Sequence, residues 1–270
     1  MPHPITVVDA FTAQPFSGNP AAVCILTAKA PESWMRDLAR EMNLSETAFV
    51  RRDDDGWGLR WFTPTIEVDL CGHGTLASAH VLWESGQVPS SDEIRFFTRS
   101  GLLTARLVDG AIELNFPACK IRDAVPPEGL FSALGCDGEC LGEHARKYVI
   151  ELDSELTVRA LDPNHEALRR VDARSICVTA RSESESYDFV SRYFAPAAGI
   201  KEDPVTGSAH CMLGPHWSSR LGKRDLIGYQ ASARGGVVRV GMDGERVRLG
   251  GHAVTVLQGH VRGAEAGSTR

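Results

Sequence analysis

The chain changes twice, in the same manner, from apolar residues at alternate positions to apolar residues at helical spacing. The first change runs from "LRWFTP" into "GTLASAHVLWES", the second from "RYFAP" into "GSAHCMLGPHWSSRL". Alternation marks a half-buried strand, and a 3.6-residue repeat marks a helix. Helices are therefore predicted to begin at Thr75 and Ser208, with Gly86 and Gly222 as their stops. Each is followed by alternating runs around an Asp-Gly pair, Asp109-Gly110 and Asp243-Gly244, the strongest short-range signal for a hairpin. "PITVVDAF" and "TAFVRR" read as further strands of the first sheet. "RSICVTA" and "HAVTVLQGHVR" read as strands of the second, and the last of these has the option of returning to the first lobe.

The two patterns share one offset. Asp69 and Asp203, Gly101 and Gly235, and the two Asp-Gly pairs each lie 134 residues apart (203 − 69 for the first pair). Upstream, "RWFTPTIEVD" matches "RYFAPAAGIKED" more loosely. So long a period means duplicated domains rather than a solenoid. The prediction is an α+β fold of two pseudo-symmetric lobes, residues 1–118 and 119–270, each with mostly antiparallel strands around a central helix. The stretch "FPACKIRDAVPPEG" is expected to link them.

Composition adds limits. The 270 residues are 43% hydrophobic and 24% charged with a formal charge of −6, the make-up of a globular domain pair. Acidic and basic residues are interspersed, with no basic stripe, so nucleic acid is not an expected partner. No apolar run approaches the ~20 residues of a membrane span, and "MPHPITVVDAF" lacks the features of a signal peptide. Seven scattered cysteines in a chain of this size read as reduced thiols, so a cytoplasmic location is expected.

The chemistry collects where strand gives way to helix, in "DLCGHGTLASAH" from Asp69 and "DPVTGSAHCMLGPHW" from Asp203. A helix start offers unpaired N–H groups and a partial positive charge, and glycine lets a ligand approach closely. Both turns therefore have an anion-binding design suited to a carboxylate or phosphate, although Gly, Thr and Ser also open helices that bind nothing. Cys71, His73, His80, His210, Cys211 and His216 match no familiar zinc spacing, so no metal is expected. His80 and His210 sit inside apolar helical patterns and are expected to be buried and satisfied. Glu46, in "NLSETAFV", is on its own an ordinary strand-edge acid. No phosphate-binding loop or dinucleotide fingerprint is present, so no cofactor is expected.

Five motifs in register, "VDAFTAQPFSGNPAAVCIL", "NLSETAFV", "RWFTPTIEVDLCGHGTLASAHVL", "DPVTGSAH" and "SARGGVVRV", resemble the PhzF-like family of phenazine biosynthesis, which has the diaminopimelate-epimerase-like fold. The resemblance implies two similar lobes, each a strand barrel around a central helix, with a cofactor-free active site between them. It implies an isomerase that moves a proton on a small carboxylic acid, with Glu46 as acid/base and His73 and Asp203 as catalytic partners. It places Ser208 beside Asp203 and makes Asn19 a substrate contact; Gly72, Gly74, Thr75, Thr206 and Gly207 would then hold the substrate carboxylate. A homodimer is expected on the same ground. Two other functions stay open: an amino- or hydroxy-acid racemase or epimerase, and a non-catalytic small-anion binder. Racemases of this fold use one cysteine per lobe. Here Cys71 stands in the first turn but Pro204 takes the matching place in the second, so Cys71 is expected to be a packing residue.

Overall fold

The computed structural model describes residues 2–262 and divides into two compact units, residues 2–115 with 250–262 and residues 116–249. Unit 1 contains β1 (His3–Ala10), β2 (Asn19–Leu26), α1 (Glu32–Met42), β3 (Glu46–Asp53), β4 (Gly56–Phe62), β5 (Glu67–Val68), α2 (Gly72–Glu84), β6 (Ile94–Thr98), β7 (Gly101–Val108) and β8 (Ala111–Pro117). Unit 2 contains α3 (Leu130–Leu134), β9 (Glu139–His144), β10 (Lys147–Glu151), α4 (Glu155–Ala160), α5 (His165–Leu168), β11 (Ser175–Arg181), β12 (Phe189–Phe194), α6 (Gly207–Leu221), β13 (Asp225–Gln230), β14 (Gly236–Asp243) and β15 (Arg246–Gly251). The last strand, β16 (Ala253–Val261), pairs antiparallel with β1 and so belongs to unit 1.

The duplication is visible in the strand order. Unit 1 runs β1-β2-β3-β4-β6-β7-β8 and unit 2 runs β9-β10-β11-β12-β13-β14-β15. Pairings agree in sense: β2/β3 and β10/β11 are parallel, as are β4/β6 and β12/β13, while β1/β2, β3/β4 and β6/β7 match the antiparallel β9/β10, β11/β12 and β13/β14. The segments between the parallel pairs carry the helices, because a parallel connection needs a crossover. Thus α1 joins β2 to β3, and the longest helices, α2 and α6, join β4 to β6 and β12 to β13.

Each unit has its own core. In unit 1, Met35, Leu38 and Ala39 on one face of α1 pack with Ile5, Leu26, Phe49 and Phe62. Pro31 at the N-cap and Asn43 in the left-handed region at the C-cap bound that amphipathic helix, which the strand-focused sequence analysis passes over. In unit 2, Ile150, Val158, Leu168, Ile176, Val190 and Phe194 join α4, α5 and the sheet. The helix α2 is different in kind: residues 72–79 are buried without exception, so its small residues are accommodated on every side. Leu76 and Leu82 are fully buried within it, each worth about 1.5–3 kcal/mol of apolar burial.

Several expectations shift. Both central helices begin earlier than predicted, at Gly72 and Gly207, so Gly74 lies inside the first turn of its helix instead of before it. The Asp109-Gly110 turn is a two-residue loop with both residues at positive φ, as a type I′ hairpin requires. Its counterpart falls one residue late, at Gly244-Glu245, with Asp243 still in the strand and Gly244 at φ 60°. The "FPACKIRDAVPPEG" segment is bonded into unit 2: Ala118 N–H donates to Glu245 O, Cys119 N–H to Cys211 O, and Arg122 bridges Glu143. Among the described residues no helix is long and apolar enough to cross a membrane, and none of the seven cysteines is in a disulfide.

One repeated device shapes the turn before each central helix. Arg60 in β4 forms a bidentate pair with Glu67, both bonds 2.6 Å, with its guanidinium 5.0 Å from the Phe62 ring centre. Arg192 in β12 repeats this with Glu202, at 2.7 and 2.9 Å, and lies 5.1 Å from the Phe194 ring centre. Such forks are rigid in a way that lysine pairs are not. Arg192 also donates to Leu161 O at 2.6 Å. Its side chain is 12% exposed and that of Glu202 20%, so loss of the arginine strands a half-desolvated carboxylate. We expect Arg192→Met to cost about 2–4 kcal/mol in urea unfolding, while Arg36→Met, which breaks an exposed pair on α1, costs under ~1 kcal/mol. Equal costs would remove the strut from the account of the fold.

Candidate active site

In unit 1, three chain segments start at one place. Asn19 opens β2, Glu46 opens β3 beside it in parallel register with Ala21, and His73 is the second residue of α2. The entry to β2 is set by Gly18 at φ 65°; a side chain there would meet Ala10 O at 2.2 Å, so the turn demands glycine. Glu46 Oε2 lies 3.0 Å from His73 Nε2. Asn19 Nδ2 lies 3.2 Å from His73 Nδ1, and Cys71 Sγ 3.7 Å from the same nitrogen. The Glu46 side chain is 14% exposed and that of His73 5%.

The carboxylate and ring form a close ion contact off the line of a hydrogen bond, and Glu46 Oε2 accepts no aligned bond among the described residues. A buried carboxylate oxygen in this condition has a lone pair available for a proton. Burial opposes charge on His73, but the adjoining Cys71 and the carboxylate of Glu46 outweigh it, and the imidazole pKa stands well above 6.5. We assign the upward direction to Glu46. The Cys71 thiol is itself pushed up by burial and then by the negative field of Glu46, so it is neutral near pH 7. With Nε2–H turned to Glu46, Nδ1 accepts from the Asn19 amide; on full protonation of the ring, that amide must turn its oxygen to Nδ1.

Cys71 is more than packing. It is the N-cap of α2, its sulfur accepts from Gly74 N–H at 3.3 Å, and it touches His73. Glu46, Cys71 and His73 place three potential metal-donor atoms within 4.8 Å of one another, a set the short C-x-H spacing could not reveal because Glu46 comes from a distant strand. Gly74 and Thr75, expected to hold substrate, are engaged within the helix: the N–H of Gly74 by Cys71, and the Thr75 hydroxyl by Cys71 O at 2.5 Å. Gly74 is required for space, since a Cβ would meet Trp61 Cδ1 at 2.8 Å. The N–H groups left without a helical carbonyl at this turn are those of Gly72 and His73.

In unit 2, Asp203 and Thr206 form a closed turn before α6. Thr206 Oγ1 donates to Asp203 Oδ2 at 2.5 Å. Gln230, at the end of β13, clasps the turn: its Oε1 accepts from Thr206 N–H at 2.8 Å and its Nε2 donates to Asp203 O at 2.6 Å. Nothing in the sequence singles out Gln230. Gly207 and Ser208 follow as the first two residues of α6, and Ser208 Oγ accepts from Lys147 Nζ at 3.2 Å. His210 is fully buried and held down to about 4 by that burial; its Nδ1 donates to Thr206 O, whereas Nε2 meets no partner among the described residues. The expectation of a satisfied histidine thus holds for one nitrogen. His80 is only half-buried and bonds Thr255. Cys211 stands about one turn into α6, with its thiol pushed up by burial.

The family model described as phenazine biosynthesis-like protein, PhzC-PhzF, matches residues 8–259. The chain belongs to this family. An uncharacterized isomerase of Halalkalibacterium halodurans is 51% identical over 259 residues, which cover 96% of this chain and 98% of that protein. The crystal structure of a PhzF family protein from Enterococcus faecalis superposes with a TM-score of 0.90 at 39% identity, covering 97% of this chain and all of that one. A hydroxyproline epimerase from Agrobacterium vitis, solved with trans-4-hydroxy-L-proline, has a TM-score of 0.62 at 11% identity over 96% and 92% of the two chains, a likeness of fold alone. The PhzF-family chain is accordingly an isomerase with the epimerase-like α+β fold.

The ion contact makes a testable statement about pH. Glu46→Gln removes the charge that favours imidazolium, leaving burial to dominate, so the His73 pKa should fall from above 6.5 to below it in an NMR titration of the ring. In the parent protein the fold holds this proton more tightly than the unfolded chain does. The stabilisation is therefore complete below pH 6.5 and disappears as pH rises through the elevated value. A His73 resonance that titrates alike in both proteins would show that the pair is not coupled.

Proposed function

We propose that this PhzF-family isomerase shifts a proton along a small carboxylic acid, with Glu46 as its single acid/base. The observation that carries the proposal is the Glu46 carboxylate: mostly buried, held against His73, and with Oε2 not committed to an aligned hydrogen bond. A proton on carbon next to a carboxyl-bearing double bond is weakly acidic, and a desolvated carboxylate is a far better base toward it than a hydrated one. In the forward step a C–H bond breaks, its proton passes to Glu46 Oε2, and the electron pair moves through the double bond. In the second step the carboxyl group of Glu46, its proton exchangeable with solvent in the meantime, delivers a proton at another carbon. Bonds broken and formed balance, and there is no net oxidation.

His73 serves as the positioning cation. Its proton steadies Glu46 when the carboxylate is charged, and the Asn19 amide holds the ring. The N–H groups of Gly72 and His73 are the donors of unit 1 toward a developing negative charge. In unit 2 we assign substrate contact to the N–H groups of Gly207 and Ser208 and to the Ser208 hydroxyl, with Asp203, Thr206 and Gln230 shaping the turn that presents them. A thiol-based racemase is disfavoured by the state of Cys71, whose protonated sulfur caps a helix and is no base at neutral pH.

Solvent deuterium reports the chemistry directly. With a panel of unsaturated and amino carboxylic acids screened by NMR, the parent protein should introduce deuterium into at least one compound. Glu46→Gln should slow this by about 10²- to 10⁴-fold with an unchanged circular dichroism spectrum. Cys71→Ser should retain activity within about tenfold, because serine keeps the cap. Loss of all exchange in Cys71→Ser with survival in Glu46→Gln would transfer the role to the thiol.

A further inference from the structure

Lys147 has no place in the chemistry described so far. It opens β10 in unit 2, in parallel register with Ser175. Its ammonium donates to Ser208 Oγ at 3.2 Å, and among the described residues it forms no ion pair. Among the groups that act on its charge are Arg174 and the thiols of Cys119, Cys177 and Cys211. All three thiols are pushed up, chiefly by burial, and so are neutral at pH 7. Arg174, which likewise has no carboxylate partner among the described residues, adds positive charge. A half-buried ammonium with no ion-pair partner among the described residues is a costly arrangement unless an anion completes it. The cost appears in its titration: burial first, then Arg174, lowers the Lys147 pKa from its ordinary 10.5.

The bond to Ser208 has a direction. An ammonium has three donors and no acceptor, so the serine oxygen accepts. The serine proton is then turned away from Lys147. Ser208 is the second residue of α6, where the N–H groups of Gly207 and Ser208 precede any helical carbonyl. The lysine thus sets the hydroxyl as a donor beside two amide donors and supplies the charge that neutral donors lack.

We propose that Lys147 is an unassigned substrate-binding residue, which fixes the Ser208 hydroxyl as a donor and supplies the counter-charge for the carboxylate of an anionic substrate held at the start of α6. This rests on the assignment of Ser208 to substrate contact. It predicts selectivity for carboxylates over amides or esters of the same shape.

The test uses the full chain with benzoate as probe, followed by calorimetry and NMR, and benzamide as its neutral counterpart. Lys147→Met should weaken benzoate binding about tenfold or more and leave the weak binding of benzamide unchanged. Lys147→Arg should restore most of the loss, which a merely structural role would not allow. In the parent, benzoate affinity should fall with rising pH at a value below 10.5, and this dependence should vanish in Lys147→Arg. Ser208→Ala should weaken benzoate too, and the double variant should lose less than the product of the single losses, because one residue acts through the other. Glu46→Gln separates this proposal from the catalytic one. If it keeps benzoate affinity and loses deuterium exchange, both stand. If it keeps exchange while Lys147→Met still loses benzoate, only the Glu46 assignment fails. Unaltered benzoate affinity in Lys147→Met, or failure of the parent to prefer benzoate to benzamide, overturns the role of Lys147.

Discussion

The candidate site turns on a carboxylate and an imidazole pressed together, largely out of water, at 3.0 Å. Burial alone would hold the imidazole neutral. Beside that carboxylate the imidazole is held toward its protonated form, and the neighbouring thiol is driven the opposite way, toward its neutral form. One local field therefore bears on two protonation states. It favours the protonated imidazole at His73 and leaves Cys71 as a neutral cap. The backbone is arranged to produce that field: a turn that only Gly18 can make sets Asn19, a parallel pairing sets Glu46, and a helix start sets His73.

The two units show what duplication keeps and what it releases. Strand order, the sense of every comparable pairing and the Arg–Glu fork before the central helix are kept. These features determine where a helix begins, and a helix start gives amide donors whatever the side chains are. The side chains at that start have diverged. Unit 1 carries a thiol and an imidazole near a carboxylate, while unit 2 carries proline, an Asp-Thr-Gln clasp and a serine bonded to lysine. Backbone geometry is the shared part because it is hard to reinvent; the titratable groups are the part free to change.

Much of this was legible in the sequence, for identifiable reasons. The change from alternate to helical spacing is a property of local chain geometry, so "LRWFTP" and "GTLASAHVLWES" reveal β4 and α2 without knowledge of their neighbours. The repeat offset reveals the shared topology because the copies have no gap over the helix and hairpin. The candidate site comes from motif resemblance, which names Glu46 and His73 although neither stands out by itself. Contacts between distant segments were not legible. Gln230, Lys147 and the Arg–Glu forks acquire meaning only when β13, β10, β4 and β12 are placed beside the turns they serve. The helix starts were misjudged for a related reason: glycine argues locally against a helix, and only the Cys71 cap and the Trp61 side chain against Gly74 favour one there.

The thiol at position 71 shows how finely such a site divides functions. A cysteine at a helix N-terminus is the ordinary recipe for a reactive thiolate, because amide dipoles favour the anion. Here the same amides act, and Gly74 N–H does donate to the sulfur. Two stronger influences oppose them, complete burial and the negative charge of Glu46. A desolvation penalty and a nearby anion each exceed what one turn of helix dipole supplies, which is of order 1 kcal/mol. The thiol therefore stays protonated near pH 7, chiefly through its burial. Removing the charge of Glu46 would lower the thiol's pKa but leave burial, the larger influence, still holding it up.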